Sequence, residues 1–360
     1  MTHPSSFPGT SSARALLCSA ALALTLGACE GSEDNAVADE SVAPAQPAAQ
    51  MSSGTALPLA GVEAAVASAE TRALFAPGQC DEVYEFRFFG AGGPGTPYLV
   101  QPGGEYHPTV QFDAPWGDTP THAVEYKPLI DNKKVTHHYI FSAGTMGWLD
   151  AWAPGNEDPP LPADVGMDLP RGKRALSLNM HYYNLTGTDA QPDRSGIAVC
   201  VVQGAHLRPK PAAVHGFGAV GFPMVPANKK GHVLTSTCKA TVKEPVTLFS
   251  LGLHSHKLGR HMKFSVTKAD GRVITLHDQS FAFEEQAQLP VEPGYVIENG
   301  DSFTLSCTYD NETNKNVGFG ENTDNEMCFN FANYYPKGAL NCGPFGAISS
   351  GGASIPGFGN

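Results

Sequence analysis

The chain has 360 residues and carries 23 Lys and Arg against 35 Asp and Glu, a formal net charge of -12. No block of Lys and Arg is dense enough to track phosphates, so nucleic acid is not expected as a partner, and the acidity reads as solubility. Charge alone does not identify a substrate.

In chain order, Arg14 precedes the apolar run Ala15 to Leu26, which ends in Leu26-Gly27-Ala28-Cys29. That is the order of a signal peptide with a small-residue cleavage site, predicted over residues 1–28. Cys29 at the junction carries the lipid-attachment signature of a bacterial lipoprotein, and the run is too short to be read as a membrane-spanning helix. The expected location is the bacterial cell envelope, on the periplasmic side or the outer surface, with the membrane touched through the lipid only. Residues 29–72 are rich in Ala, Ser, Glu, Gln and Pro and nearly free of aromatics, which predicts a disordered tether. The Gly-rich segment 346–360 predicts a tail of the same kind.

Between these ends, short runs rich in β-branched and aromatic residues follow one another: Tyr84 to Phe88, Lys134 to Phe141, Ala175 to Tyr182, Ile197 to Val202, His232 to Thr237, Val246 to Leu253, Met262 to Lys268 and Ser302 to Thr308. No long window keeps a 3.6-residue apolar period, so the fold class is all-β. Ala269-Asp270-Gly271-Arg272 predicts a hairpin. The length suggests two β-sandwich domains, over 73–210 and 211–345, with a boundary near His206 to Pro223 where Pro209, Pro211 and several glycines break the strand pattern. Beyond the leader and its junction there are six cysteines, an even number in an exported chain, which points to disulfides. Fifteen pairings are open, and no Cys-x-x-Cys suggests a zinc ribbon.

Two groups of possible metal ligands stand out. His254-Ser255-His256 follows a strand-like run, so alternation puts both imidazoles on one face. His261 falls out of phase and is read as a surface or outer residue, after a turn at Lys257 to Arg260. His137-His138 is the opposite case, because neighbours on a strand point to opposite faces unless a bulge intervenes or different ring nitrogens are used. Taken alone, that pair reads as one buried and one exposed histidine, and His181 as a hydrogen-bonded core residue. Four methionines, Met146, Met180, Met262 and Met327, lie near these groups, and composition does not choose among them. Imidazoles with a thioether favour copper, since sulfur is a soft donor that suits Cu(I).

The motifs Val135-Thr136-His137-His138-Tyr139, Leu178-Asn179-Met180-His181-Tyr182, Leu253-His254-Ser255-His256-Lys257-Leu258-Gly259-Arg260 and Glu326-Met327-Cys328-Phe329-Asn330-Phe331, in this order and running on to Tyr334-Tyr335-Pro336, resemble the type II copper, ascorbate-dependent monooxygenases. The resemblance spans residues 75 to 343 and is closer to the dopamine β-monooxygenase branch than to the peptidylglycine α-hydroxylating one. It implies two tandem jelly-roll-like sandwiches flanking a solvent-filled interdomain cleft, and two copper ions. His137, His138 and His181 would hold the electron-storing ion, and His254, His256 and Met327 the catalytic, oxygen-binding one. It also implies disulfides Cys80 with Cys200, Cys238 with Cys342, and Cys307 with Cys328. The activity implied is hydroxylation of a C–H bond in a small organic substrate by O2 and a one-electron reductant such as ascorbate. Amidating members bind a peptide carboxylate with Arg, Asn and Tyr where this chain has Gly252, Phe329 and Phe331, so an amidating role is disfavoured. The alternatives are a copper-binding or copper-storage lipoprotein without catalysis, and a β-sandwich adhesion module with incidental histidines.

Overall fold

The computed structural model describes residues 62–144, 147–156, 160–218 and 224–342. The expected leader, Cys29, most of the expected tether and the 346–360 tail lie outside them. The regular structure among the described residues is almost wholly strand, with one helical turn at Ala69–Arg72 and a 3-10 turn at Gly204–His206. No helix among them is long and apolar enough to cross a membrane.

Alternation explains the strands. In Ser302–Asn311, Phe303, Leu305, Cys307, Tyr309 and Asn311 are buried while the residues between them are partly exposed, the pattern of a sheet with one face on a core. Gly196–Gln203 is instead buried on both faces. Ile197, Val199 and Val201 enter a large apolar cluster, and Ala198, Cys200 and Val202 enter a smaller one behind the sheet. The predicted hairpin joins Gly259–Thr267 to Val273–Ser280, with Gly271 at φ 86°.

The large clusters divide by sequence: one draws on residues from Tyr84 to Ala212, the other on residues from Phe217 to Cys342. A nine-stranded sheet nevertheless runs through both halves. Its order is Ala65–Val66, Glu82–Arg87, Gly196–Gln203, Thr121–Leu129, Val165–Asp168, Lys210–Gly218, Cys328–Tyr335, Val246–Ser255 and Gln288–Ile297. The joining strand Lys210–Gly218 lies in the stretch where Pro and Gly were expected to interrupt the pattern. Pro211 is accommodated there, pairing in parallel with Gly166 while its carbonyl accepts from Lys337 N at 2.8 Å. Two further sheets cover the cores. One holds Val62–Glu63, Thr109–Asp113, Leu176–Tyr183, Thr136–Ala143 and Gly147–Trp152, with Glu105–Tyr106 added on Leu176–Tyr183. The other is Lys229–Lys239, Ser302–Asn311, Gly259–Thr267 and Val273–Ser280.

The tether expected up to residue 72 requires correction, because among the described residues Val62 onward already holds regular structure. Val62–Glu63 and Ala65–Val66 pair with Thr109–Asp113 and Glu82–Arg87, and Ser68 caps the helical turn through Thr71 N. These segments are too short to signal themselves; sheet edges already formed by later residues supply their partners. Disulfides join Cys80 to Cys200, Cys238 to Cys342 and Cys307 to Cys328, the pairs implied by the resemblance.

The register of Ser302–Asn311 can be tested by two substitutions. Leu305→Ala should lower the unfolding free energy by about 2–5 kcal/mol, because it empties a fully packed site. Thr304→Ala, on the outer face, should change it by less than about 1 kcal/mol in the same urea titration.

Candidate metal centre

His138 and His181 face each other across the ladder between Thr136–Ala143 and Leu176–Tyr183, and the register then shifts. His181 pairs with His138 but Tyr182 pairs with Thr136, so His137 is an extra residue in its strand. This is the bulge that joint use of adjacent histidines requires. It brings His137 Nδ1 within 3.1 Å of His138 Nδ1, which in turn lies 3.3 Å from His181 Nδ1. Imidazole nitrogens bound about 2 Å from one ion in tetrahedral geometry would be about 3.3 Å apart, so the spacing suits a shared cation. His181 is buried, and its Nε2 has no hydrogen-bond partner.

The second set forms at the end of another ladder. His254 pairs with Phe329 and Ser255 with Cys328, so His256 and Met327 both adjoin the end of this ladder. The two imidazoles are 5.2 Å apart between ring centroids, as alternation predicted. Their Nδ1 atoms are taken: His254 Nδ1–H donates to Gln286 Oε1 at 2.6 Å and His256 Nδ1–H to the Asn325 carbonyl at 3.1 Å. Both Nε2 atoms therefore keep a lone pair, the usual way in which an outer partner fixes a metal-binding tautomer. Met327 lines the same cavity as both rings. Met180 and Met262 are fully buried in the two cores, and Met146 lies outside the described residues. His261 sits apart, with Nε2 3.2 Å from Asp278.

The two sets are close neighbours. His138 and His254 are 6.2 Å apart between centroids, and both line a cavity of about 400 Å³. At this point the space between the halves is narrowed by residues of the second half. Phe283 stacks on His137 at 4.9 Å, while Thr323 N and Oγ1 donate to Glu105 and Asn322 lies 3.2 Å from His107.

Sequence reasoning missed several participants. Glu326 is buried and accepts from Ser255 Oγ, His256 N and Leu258 N, so it ties the His-x-His turn to the residue before Met327. Burial raises its carboxyl to about 7 against the pull of those hydrogen bonds. Tyr309 OH donates to the Met327 carbonyl at 2.6 Å. Glu105 and His107 lie beside His181, with His107 stacked on it at 4.2 Å. The one available signal was that Glu326 adjoins Met327; the other contacts depend on residues far apart in the chain.

The positions that departed from the amidating pattern have physical reasons. A Cβ at Gly252 would lie 2.6 Å from Gln288 Nε2 and 2.9 Å from the Phe331 carbonyl, so the site has no room for an arginine stem unless both move. Phe331 stacks on Trp148 at 3.8 Å.

Residues 212–343 match the family described as copper type II ascorbate-dependent monooxygenase, C-terminal domain. Over these residues the chain is similar to the C-terminal domain of that family. It is 32% identical to dopamine beta-hydroxylase of Rattus norvegicus over 206 residues, covering 53% of this chain and 33% of that protein. The corresponding protein of Homo sapiens is 30% identical over 207 residues, with 53% and 33% covered. A tyramine beta-hydroxylase of Caenorhabditis briggsae is 25% identical over 197 residues, with 52% and 33% covered. The aligned part thus spans about a third of the length of these relatives.

A family that works with copper makes the donor sets testable. Gln286→Leu removes the acceptor that holds His254 in its tautomer, and should weaken copper binding at the second set by about 10- to 100-fold in a chelator competition. The copper-free protein should also lose stability in acid. Burial, followed by neighbouring imidazoles, holds His137 at about 3 and His256 at about 3; burial holds His254 and His107 at about 4, all below the ordinary 6.5. Between these values the unfolded chain binds more protons, so stability present above pH 6.5 drains away as pH falls toward the folded values. Glu326 acts in the opposite sense, its stabilisation being lost as pH rises through about 7, but it is one group against four. The melting temperature should therefore fall from about pH 7 to about pH 4, and a flat profile would contradict neutral buried imidazoles.

Proposed function

We propose that this protein is a copper-dependent monooxygenase that hydroxylates a C–H bond of a small organic substrate with O2 and an external reductant such as ascorbate. The observation that carries this reading is the nearness of two unlike donor sets: three imidazoles gathered by a bulged ladder, of which His138 lines the cavity that His254, His256 and Met327 also line. His254, His256 and Met327 are assigned to the oxygen-binding copper, and His137, His138 and His181 to the electron-storing copper. When bound, copper supplies O2 chemistry and one-electron steps, with the soft Met327 sulfur favouring Cu(I).

The remaining work falls to the chain. Gln286 and Asn325 hold the Nδ1 protons of His254 and His256, which leaves both Nε2 atoms turned to a ligand. Glu326 braces the turn that carries His256, and Tyr309 anchors the Met327 backbone. Aromatic walls from Tyr139, Trp148, Trp152, Phe319, Phe329 and Phe331 suit an apolar substrate. Overall, one oxygen atom enters the C–H bond and the other leaves as water, with two electrons and two protons supplied through the reductant.

We further propose export by the leader 1–28, a lipid on Cys29, a tether leading to Val62 and a C-terminal tail from 346. The copper domains would meet at the strand Lys210–Gly218, with 73–210 carrying the storage site and 211–345 the oxygen site.

The test is anaerobic copper loading followed by O2 and ascorbate with a panel of phenethyl compounds. Two coppers per chain and reductant-dependent hydroxylated product are expected. Met327→Ala and His254→Ala should each abolish product in a folded protein, and His137→Ala should cripple coupled turnover more than substrate binding. Normal turnover in the first two variants would sink the assignment, and copper uptake without product from any substrate would favour a storage role.

A further inference from the structure

The metal-facing cavity has a neighbour. A second cavity of about 100 Å³ lies between Tyr126, Leu161, Met167, Val214, Phe249 and Pro290. Four residues line both spaces: Trp148, Ala151, Gln288 and Phe331. Ala151 and Gln288 contribute little bulk or a flexible amide, whereas Trp148 and Phe331 are rigid rings. Their centroids are 3.8 Å apart and their planes meet at 12°, a closed stack with no room for a third ring between them.

The stack is built from both halves of the molecule. Trp148 comes from Gly147–Trp152, at the edge of the sheet that carries His137, His138 and His181. Phe331 comes from Cys328–Tyr335, which starts one residue after Met327. Neither ring belongs to the two large apolar cores, and both are only partly buried. A tryptophan left out of the core and stacked across a boundary between two voids contributes less to folding than to the shape of those voids.

We propose that Trp148, stacked on Phe331, is the end wall that sets the length of substrate the metal-facing cavity accepts. This deepens the reading under Proposed function and rests on it for the reaction, though not for the binding. The Phe331 ring lies 6.4 Å from the His254 ring, so the stacked pair bounds the chamber about one ring away from that imidazole and limits how far a ligand can extend in this direction. Removing the indole joins the chambers, and the new space runs toward Leu161, Met167 and Val214, which would take a second ring.

The experiment compares phenethyl alcohol with its para-phenyl (biphenyl) homologue. Binding to the copper-free full chain is measured by calorimetry, and hydroxylation by the copper-loaded protein is measured with ascorbate. Wild type should bind the short alcohol and take the biphenyl alcohol at least about tenfold less well; Trp148→Ala should shift the ratio of the two by about tenfold or more toward the biphenyl alcohol. Should Trp148→Ala fold poorly, Trp148→Leu keeps an apolar side chain, removes the stack and should show the same direction of change. The proposal is overturned if wild type binds both alcohols equally, if neither variant alters their ratio, or if no member of the series binds. Length-dependent binding with no product from any ligand would leave the wall in place and count against the monooxygenase reading alone.

Discussion

The geometry of the centre depends on one continuous hydrogen-bonded ladder. Val165–Asp168, Lys210–Gly218, Cys328–Tyr335 and Val246–Ser255 are consecutive in a single sheet, so the halves of the chain share a backbone network as well as a surface. Side-chain contacts between two separate sandwiches could slide by an ångström at little cost. A ladder cannot, because moving it by one residue would turn every inward side chain outward. That rigidity holds the strand that carries His254 and ends just before His256 against the strand that begins after Met327.

Around this frame, buried polar groups brace the site locally. Glu326 takes three donors from the His-x-His turn, and the Cys307–Cys328 disulfide fastens the residue after Met327 to a neighbouring strand. On the other side, Thr323 and Asn322 reach Glu105 and His107 beside His181. The segment 322–328 is thus held from both halves at once, and Met327 lies within it. A soft, unbranched thioether needs such bracing if it is to present its sulfur from one place.

Legibility in the sequence followed how local each feature was. Strands such as Ser302–Asn311 announced themselves by alternation, and His254-Ser255-His256 did so for the same reason, since period two puts both rings on one face. His137-His138 could not be resolved that way, because the extra residue becomes visible only against Leu176–Tyr183. Lys210–Gly218 was obscured by the Pro and Gly it contains, and Val62–Val66 by its brevity. Met327 was one of four methionines until motif order singled it out; the burial of Met180 and Met262 in the cores gives that choice a physical ground. Gln286 and Glu105 carried no readable signal, as each acts across a long chain separation.

The bulge at His137 has a consequence for how the first donor set could arise or be lost. A regular ladder is the lower-energy arrangement for two paired strands, and here it would point His137 and His138 to opposite faces. The set therefore depends on the number of residues between its flanks as much as on their identity. Shortening the strand by one residue would restore an unbroken ladder while dismantling the ligand set, so the sheet would gain what the chemistry loses. A site encoded in this way tolerates drift in neighbouring side chains, yet has no tolerance for a change in count.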